Sequence, residues 1–365
     1  MKYPDTISTP WSADKHEHFL PTNLPSECLD VSFNLIESMQ RLSDESEHYI
    51  KLYIALNLFF WHQDSSESLA NPVPGYLDKV RKAIQLLQIA SDIKLFKPES
   101  TNFDYRKDKD IGEIYGKSWE ILSKEDFFVN SRERLYQRFE RNGCSLEEYA
   151  AGKYILDSGA GCGNYSAALA YAGAKKITAI DIGLDGLRFG SKMLKDSEYN
   201  DKIEFEAASS SRLPFENECF DAVFSNSVVH VTGDYENCIS EASRVVKTGG
   251  SFFLYVDAKM GMFELLMNTL LCGLKGVPEE CFIELAHRMG IKSGRIGWMV
   301  SNFFVPYERR TKKDIYQLLE QNGFSILHEF KRGLDSDMIE KISNSSPYAD
   351  IQYGEGEARF ICVKN

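Results

Sequence analysis

The glycines and acids in one short stretch are spaced to bind a nucleotide-like ligand. Residues 154–163 read YILDSGAGCG, so Asp157 follows an apolar run and Gly159, Gly161 and Gly163 alternate with other residues. A buried strand that runs into a glycine-rich turn and then a helix opens a nucleotide-binding βαβ unit. Glycine adopts backbone dihedral angles closed to other residues, and it lets a ligand approach the main chain.

The glycine spacing distinguishes between two cofactors. The dinucleotide fingerprint G-x-G-x-x-G requires a glycine where the chain has Asn164 or Ser166. The chain instead reads D-x-G-x-G-x-G, which resembles the first motif of class I S-adenosylmethionine-dependent methyltransferases. The resemblance implies that the methionine part of S-adenosylmethionine binds at Asp157, Gly159, Ala160, Gly161 and Gly163.

A second acid lies where the ribose of such a ligand is expected. The β-branched run at residues 177–180 ends in Asp181, about 20 residues past the glycine turn. An acid at this place can accept hydrogen bonds from both ribose hydroxyls. The alternative is an acid that favours the positive end of a helix dipole. We expect Ile182 to lie beside the same ligand.

Three later segments resemble further motifs of the same family, in order and at the expected intervals. Residues 209–215 read SSSRLPF, residues 219–227 read CFDAVFSNS, and residues 247–256 form a glycine turn followed by an apolar strand. The resemblance covers about residues 110–257. It implies a doubly wound α/β sheet of seven strands with the last strand antiparallel.

The adenine side departs from the family pattern at one position. The family commonly has an acid where this chain has Ser209, and that acid takes the adenine amino group. Serine can accept a hydrogen bond but carries no charge, and the backbone N–H of Ser210 is a second candidate. Asn226, at the end of the fourth predicted strand, completes the adenosine side.

Residues ahead of the glycine strand are candidates to cover the cofactor. In the family, a helix in this place often lies across the cofactor as a lid. Tyr115 is therefore a candidate to bind the methionine carboxylate and exclude water. The alternative is that Tyr115 and Trp119 are core aromatics one helical turn apart.

His230 is the candidate catalytic residue. Methyl transfer from a sulfonium is an in-line displacement, and a hydroxyl acceptor usually needs a base, which contributes about 10²–10⁴-fold. His230 follows the fourth strand, and histidine titrates in the right range. The alternative is a histidine that caps the loop or packs beside the cofactor. Asp257 and Tyr255 are weaker candidates, and no metal is expected.

An insertion at residues 258–310 is predicted to form a substrate lid. It follows the fifth strand, near the strand ends where open α/β sheets bind ligands. Its apolar helical patterns are followed by Arg295, Tyr307 and Arg309, which with Tyr255 and Asp257 are the substrate candidates. An arginine can hold a carboxylate or phosphate through two hydrogen bonds. A solvated basic face is the alternative.

The amino-acid composition limits the classes of molecule that the protein is expected to bind. The net charge is −12 with no basic arm, which argues against nucleic-acid or anionic-membrane binding. The eight scattered cysteines contain no C-x-x-C pair, which indicates reduced cytosolic thiols rather than a zinc site. The amino-terminal sequence lacks an apolar signal core. We therefore expect a cytoplasmic protein that acts on a small molecule.

Two domains are predicted. Residues 1–110 form an irregular arm and a helical accessory domain, with helical periodicity over residues 31–62 and 76–95. Residues 111–365 form the methyltransferase domain. The apolar faces of the helices must pack on that domain or on another subunit, as in a homodimer. Roofing the active site and recognising a carrier are the other roles left open.

The predicted function is methyl transfer from S-adenosylmethionine to a hydroxyl or amine of a small metabolite. A nicotinamide oxidoreductase is disfavoured by the missing fingerprint. Another adenosylmethionine-using transferase, such as an aminopropyl transferase, would share the cofactor residues but need extra acids. A non-catalytic cofactor-binding or interaction protein on the same fold is the third alternative.

Overall fold

The computed structural model describes residues 24–42, 47–66, 68–92, 119 and 122–365. Its strands are β1 (Tyr154–Ser158), β2 (Lys176–Asp181), β3 (Ile203–Ala207), β4 (Phe220–Asn226), β5 (Val246–Asp257), β6 (Phe324–Glu329) and β7 (Glu357–Lys364). Its α-helices are α1 (Ser26–Arg41), α2 (His48–Ser65), α3 (Pro72–Asp92), α4 (Ser131–Glu140), α5 (Leu146–Ala150), α6 (Asn164–Tyr171), α7 (Leu184–Leu194), α8 (Tyr235–Val245), α9 (Met262–Gly273), α10 (Glu279–Arg288), α11 (Ser293–Phe304), α12 (Lys312–Gln321), α13 (Met338–Ser343) and α14 (Ala349–Tyr353).

The strands form one sheet in the order β3-β2-β1-β4-β5-β7-β6. The first five strands are parallel, and β7 is antiparallel to both β5 and β6. This confirms the predicted seven-stranded, doubly wound sheet with an antiparallel last strand. The strand order reverses between β1 and β4, and open α/β sheets bind ligands outside the carboxyl ends of the strands at such a point.

Both faces of the sheet are covered, because the central strands are apolar on both sides. One face carries Phe224 and Phe253, whose rings stack with centroids 4.7 Å apart, and Phe139 of α4 stacks on Phe253 at 5.5 Å. The other face packs Phe252 and Leu254 against α8 and α12. Phe224 and Phe253 thus lie on the same face of the sheet. The next side chains on that face, toward the carboxyl ends of β4 and β5, are Asn226 and Tyr255.

The chain divides into two compact units. The sheet-bearing unit comprises residues 111–258, 307–344 and 355–365. The helical unit comprises the described residues within 24–92 together with residues 259–306 and 345–354. The predicted domain boundary at residues 110–111 lies outside the described residues and stays a prediction. The inserted helices α9–α11, which the sequence assigns to the second predicted domain as a lid, group with the helical unit instead.

The helical unit is held by apolar contacts between helices distant in sequence. Helix α1 packs against α3 and α9, and the hydroxyls of Ser32 and Tyr76 lie 2.6 Å apart. The helical periodicity over residues 31–62 is carried by two helices, α1 and α2. The predicted arm at residues 1–23 lies outside the described residues. No helix in the described part of the chain is long and apolar enough to cross a membrane.

Candidate active site

The glycine turn connects β1 to α6 in a conformation that needs glycine. Gly159, Gly161 and Gly163 have φ values of +83°, +59° and +79°, in the left-handed region. A Cβ on Gly163 would lie 2.6 Å from the ring of Phe205, and one on Gly161 would lie 2.8 Å from the ring of Trp119. The predicted turn therefore forms, and Trp119 packs against it as a partly buried aromatic.

Asp181 connects the glycine turn to the loop after β2. One carboxylate oxygen accepts the N–H of Gly161 at 2.8 Å, and the other accepts the N–H of Gly183 at 2.7 Å. Burial raises the pKa of Asp181, while these backbone hydrogen bonds oppose the rise. Each oxygen keeps a second lone pair for a ligand hydroxyl. The side chain of Ile182 beside it is 49% exposed.

Asp157 is a buried acid at the end of β1. The hydroxyl of Ser166 donates to its Oδ2 at 2.5 Å. Burial raises the pKa of Asp157 to about 7, and the charged group that raises it further is Asp181. Among the described residues, neither acid has a salt-bridge partner. Two acids thus flank the glycine turn without a protein cation to balance them.

The loop after β3 is tied to the end of β1. The Ser158 hydroxyl donates to the Ser210 hydroxyl at 2.9 Å, and the Ser209 and Ser211 hydroxyls lie 3.1 Å apart. Asn226 is half-buried at the end of β4, where it pairs in register with Tyr255. The predicted adenosine-side residues therefore converge at one edge of the sheet. Tyr115 lies outside the described residues.

His230 is fully buried and held by backbone groups. Its Nδ1 accepts the N–H of Asp257 at 3.1 Å, and its carbonyl accepts the N–H of Glu308 at 2.7 Å. Burial lowers the pKa of His230 to about 4. Its Nε2 is buried without a hydrogen-bond partner in the described structure. The geometry therefore favours the alternative of a packed, loop-fixing histidine, while the role of a base stays a prediction.

Three of the predicted substrate residues gather around His230. The ring of Tyr307 lies 4.8 Å from that of His230, and the guanidinium of Arg309 lies 4.6 Å above the Tyr307 ring. The Nη2 of Arg309 is 3.4 Å from the Asp257 carboxylate. Arg295 belongs to the helical unit, where its guanidinium stacks 4.2 Å from the ring centroid of Trp298.

The sheet-bearing unit also contains a group of buried charges that no sequence motif predicted. Arg138, Asp337, Glu357 and Arg359 have side chains that are at most 13% exposed and lie within 3.4 Å of at least one oppositely charged member of the group. Arg359 also stacks on the predicted substrate residue Tyr255, 4.3 Å from its ring centroid. The available signal was the E-A-R-F sequence at the start of β7, which puts Glu357 and Arg359 on one face ahead of an apolar run.

The fold is an open α/β sheet with a glycine turn at the carboxyl edge of its parallel strands. Residues 156–254 match the family described as the methyltransferase domain. Over these residues the chain is similar to class I, Rossmann-like methyltransferases, and the cofactor of such domains is S-adenosylmethionine.

Curated relatives are similar over the same part of the chain. A sarcosine/dimethylglycine N-methyltransferase from Aphanothece halophytica is 30% identical over 107 residues, which are 29% of this chain and 39% of the relative. A demethylmenaquinone methyltransferase from Clavibacter sepedonicus is 37% identical over 100 residues, 27% of this chain and 39% of the relative. A solved geranyl diphosphate methyltransferase has a TM-score of 0.41 and 12% identity over 60% of this chain and 75% of that chain.

The residues at the carboxyl edge fit this cofactor. S-Adenosylmethionine has a cationic amine, a ribose diol and an adenine. Asp157 is a buried acid with no described cation beside it, which suits the amine. The carboxylate oxygens of Asp181 can accept further hydrogen bonds beside the glycine turn, which suits the two ribose hydroxyls.

Proposed function

We propose that this protein is a methyltransferase that uses S-adenosylmethionine to methylate a hydroxyl or amine of a small metabolite. The observation that carries the proposal is the pair of acids at the glycine turn, Asp157 and Asp181, which lack a described protein cation. Support for a small acceptor comes from the acidic net charge of −12. Relatives named for sarcosine and for demethylmenaquinone act on small molecules and support the same view.

In this proposal the residues at the carboxyl edge of the sheet bind the cofactor and orient it. S-Adenosylmethionine, when bound, supplies a methyl group on a positively charged sulfur. Asp157 would hold the amine, and Asp181 would accept from the ribose hydroxyls. Orientation of this kind can lower the activation barrier by roughly 7–11 kcal/mol when the acceptor is aligned and water is excluded. Ser209, Ser210 and Asn226 would border the adenosine.

His230 serves in this proposal as a positioning residue. Its Nδ1 holds the backbone of Asp257 at the end of β5, and Asp257 in turn lies beside Arg309. An amine acceptor that enters in its neutral form needs no base to attack a methyl group. Deprotonation of a hydroxyl by His230 would require the Nδ1 hydrogen bond to break first.

The test is calorimetric titration with S-adenosylmethionine and S-adenosylhomocysteine. We expect both to bind the wild-type protein and Asp181→Ala to bind at least tenfold more weakly, because hydrogen bonds to a charged group contribute about 1.5–3 kcal/mol. Asp185→Ala is the matched control, since Asp185 lies on the next helix and pairs with Arg188 at 3.0 Å. No binding by a folded wild-type protein would refute the proposal.

Turnover is measured separately, with labelled S-adenosylmethionine and metabolite extracts. A labelled product one methylene heavier than its precursor is the expected result. Tight binding of both cofactor forms with no transfer to any extract would favour the non-catalytic alternative.

A further inference from the structure

The buried charges at the β5–β7 pair form a connected group. Arg138 of α4 makes a two-point contact with Asp337, with Nε–Oδ2 and Nη2–Oδ1 distances of 2.8 and 2.9 Å. The Nη2 of Arg359 lies 3.0 Å from Asp337 and 3.4 Å from Glu357. Charged side chains are rarely buried unless they are paired, so each charge of this group is expected to have partners that offset its burial.

The charged neighbours of Arg359 do not satisfy the hydrogen-bond donors of its guanidinium. The side chain is 2% exposed, yet Nε, Nη1 and Nη2 have no hydrogen bond within the described residues. The Asp337 carboxylate is taken by Arg138 and by the N–H of Leu334, and Glu357 accepts the N–H of Ile339 at 2.9 Å. Arg359 therefore has ion pairs of poor hydrogen-bond geometry and five N–H groups without acceptors. A buried polar group left without partners destabilises the folded protein unless a ligand supplies the missing acceptors.

Arg359 lies on the same face of the sheet as the predicted site residues Asn226 and Tyr255. In the strand register Asn226 pairs with Tyr255, and Tyr255 pairs with Arg359, so all three side chains share one face. Adjacent strands are about 4.8 Å apart, which puts Arg359 roughly 10 Å from β4 across that face. This is within the length of a small metabolite that lies beside the cofactor and extends away from β1.

We propose that Arg359 binds an oxyanion of the methyl acceptor, a carboxylate or a phosphate, through its unsatisfied N–H groups. The inference rests on the proposed function, since it assigns part of the acceptor. The guanidinium presents paired N–H donors that match two oxygens of such a group, and Tyr255 supports its plane. The acceptor class is accordingly an anionic small molecule rather than a neutral one.

The charge of the group is compatible with an added anion. Arg138 and Arg359 balance Asp337 and Glu357 when all four are ionised. Burial raises the pKa of Glu357, and Asp337 raises it further, whereas the two arginines hold the pKa of Asp337 at about 2. Burial thus disposes Glu357, more than Asp337, toward its neutral form, and protonation of Glu357 would keep the group neutral when an anion enters.

The experiment follows the Arg Nε–H signals in ¹H–¹⁵N spectra of the wild-type protein, with and without S-adenosylhomocysteine. Acetate and phosphate are the probes, chloride at matched ionic strength is the salt control, and acetamide is the neutral control. Arg359→Lys assigns the signal. We expect a saturable shift of the Arg359 signal with acetate or with phosphate, and the one that acts identifies the oxyanion. No saturable shift with either, or an equal shift with acetamide, overturns the proposal.

Variants separate this inference from the proposed function. Arg359→Lys keeps the charge but loses the paired donors, so we expect roughly tenfold weaker oxyanion binding with unchanged S-adenosylhomocysteine affinity. The double variant Glu357→Gln/Arg359→Met removes one charge of each sign and replaces Arg359→Lys if that variant does not fold. Unchanged oxyanion binding in a folded variant refutes the role of Arg359. Loss of cofactor binding in the wild-type protein refutes the proposed function instead.

Discussion

The backbone N–H of Asp257 donates a hydrogen bond to Nδ1 of His230 over 3.1 Å, and this bond sets the tautomer of the ring. In a neutral imidazole one nitrogen accepts and the other carries the proton, so the proton lies on Nε2. Burial lowers the pKa of His230 to about 4, so the ring is neutral at pH 7. The free lone pair that a general base needs is already used by the main chain.

We predict that His230→Asn and His230→Phe differ. The asparagine oxygen can take the place of Nδ1 and accept from Asp257, whereas phenylalanine leaves that N–H buried and unsatisfied. His230→Phe should therefore lower the free energy of unfolding by about 1–3 kcal/mol more than His230→Asn does. Urea unfolding measures this difference. Equal stabilities would show that the hydrogen bond does not hold the loop.

The same two variants distinguish positioning from base catalysis. If His230 positions Asp257, His230→Asn should keep most of the label transfer from S-adenosylmethionine into metabolite extracts. A general base predicts that both variants lose about 10²–10⁴-fold, because neither can take up the proton. The wild-type rate should also show no ionisation of His230 between pH 5 and 8.

We predict that cofactor affinity depends on pH through Asp157. Burial raises the pKa of this carboxyl from 3.8 to about 7, so it is largely protonated at pH 6 and largely ionised at pH 8. The cofactor amine binds the ionised form, so the Kd for S-adenosylhomocysteine should be about tenfold higher at pH 6 than at pH 8. Calorimetry at the two pH values measures it. Asp157→Asn should bind more weakly and show no such slope, and a slope equal to that of the wild type would assign the effect to another group.

We predict the opposite pH trend for the stability of the cofactor-free protein. A carboxyl whose pKa is raised on folding contributes most at low pH, and this contribution is lost as pH rises through the folded pKa. Asp157→Asn has no such loss. Its stability relative to the wild type should therefore increase by about 1 kcal/mol between pH 6 and pH 8. A stability difference between the two proteins that does not change between pH 6 and pH 8 would contradict a pKa of Asp157 raised by burial.

The parts of the fold predicted from the sequence are those encoded by neighbouring residues. The glycine turn needs only the residues of one loop, and the helix-capping box of Thr311 and Asp314 likewise joins residues only three apart. The fourth and fifth strands, β4 and β5, were likewise predicted from short motifs of neighbouring residues at 219–227 and 247–256. Such local patterns carry their own geometry, so a single sequence reveals them.

The parts that escaped prediction depend on contacts between distant segments. Arg138 and Asp337 are 199 residues apart, and their pairing follows from the packing of α4 beside the β6–β7 connection. The place of Arg359 beside Tyr255 follows from the antiparallel register of β5 and β7. The neutral state of His230 follows from its burial and from a main-chain donor on another strand. No periodicity or motif specifies these partners.

The glycine turn allows a test of packing against backbone strain. Gly163 and Gly143 both have positive φ, at +79° and +68°, but a Cβ on Gly163 would lie 2.6 Å from the Phe205 ring, whereas one on Gly143 would meet no atom within 4 Å. Gly143→Ala should therefore cost only the left-handed conformation, about 1–2 kcal/mol. Gly163→Ala should cost more, because Phe205 of β3 must move, and it should also weaken S-adenosylhomocysteine binding. Urea unfolding and calorimetry of both variants measure the two effects. Equal destabilisation, with cofactor affinity unchanged in both, would mean that Phe205 yields freely and that the close approach of β3 to the turn is not needed for the site.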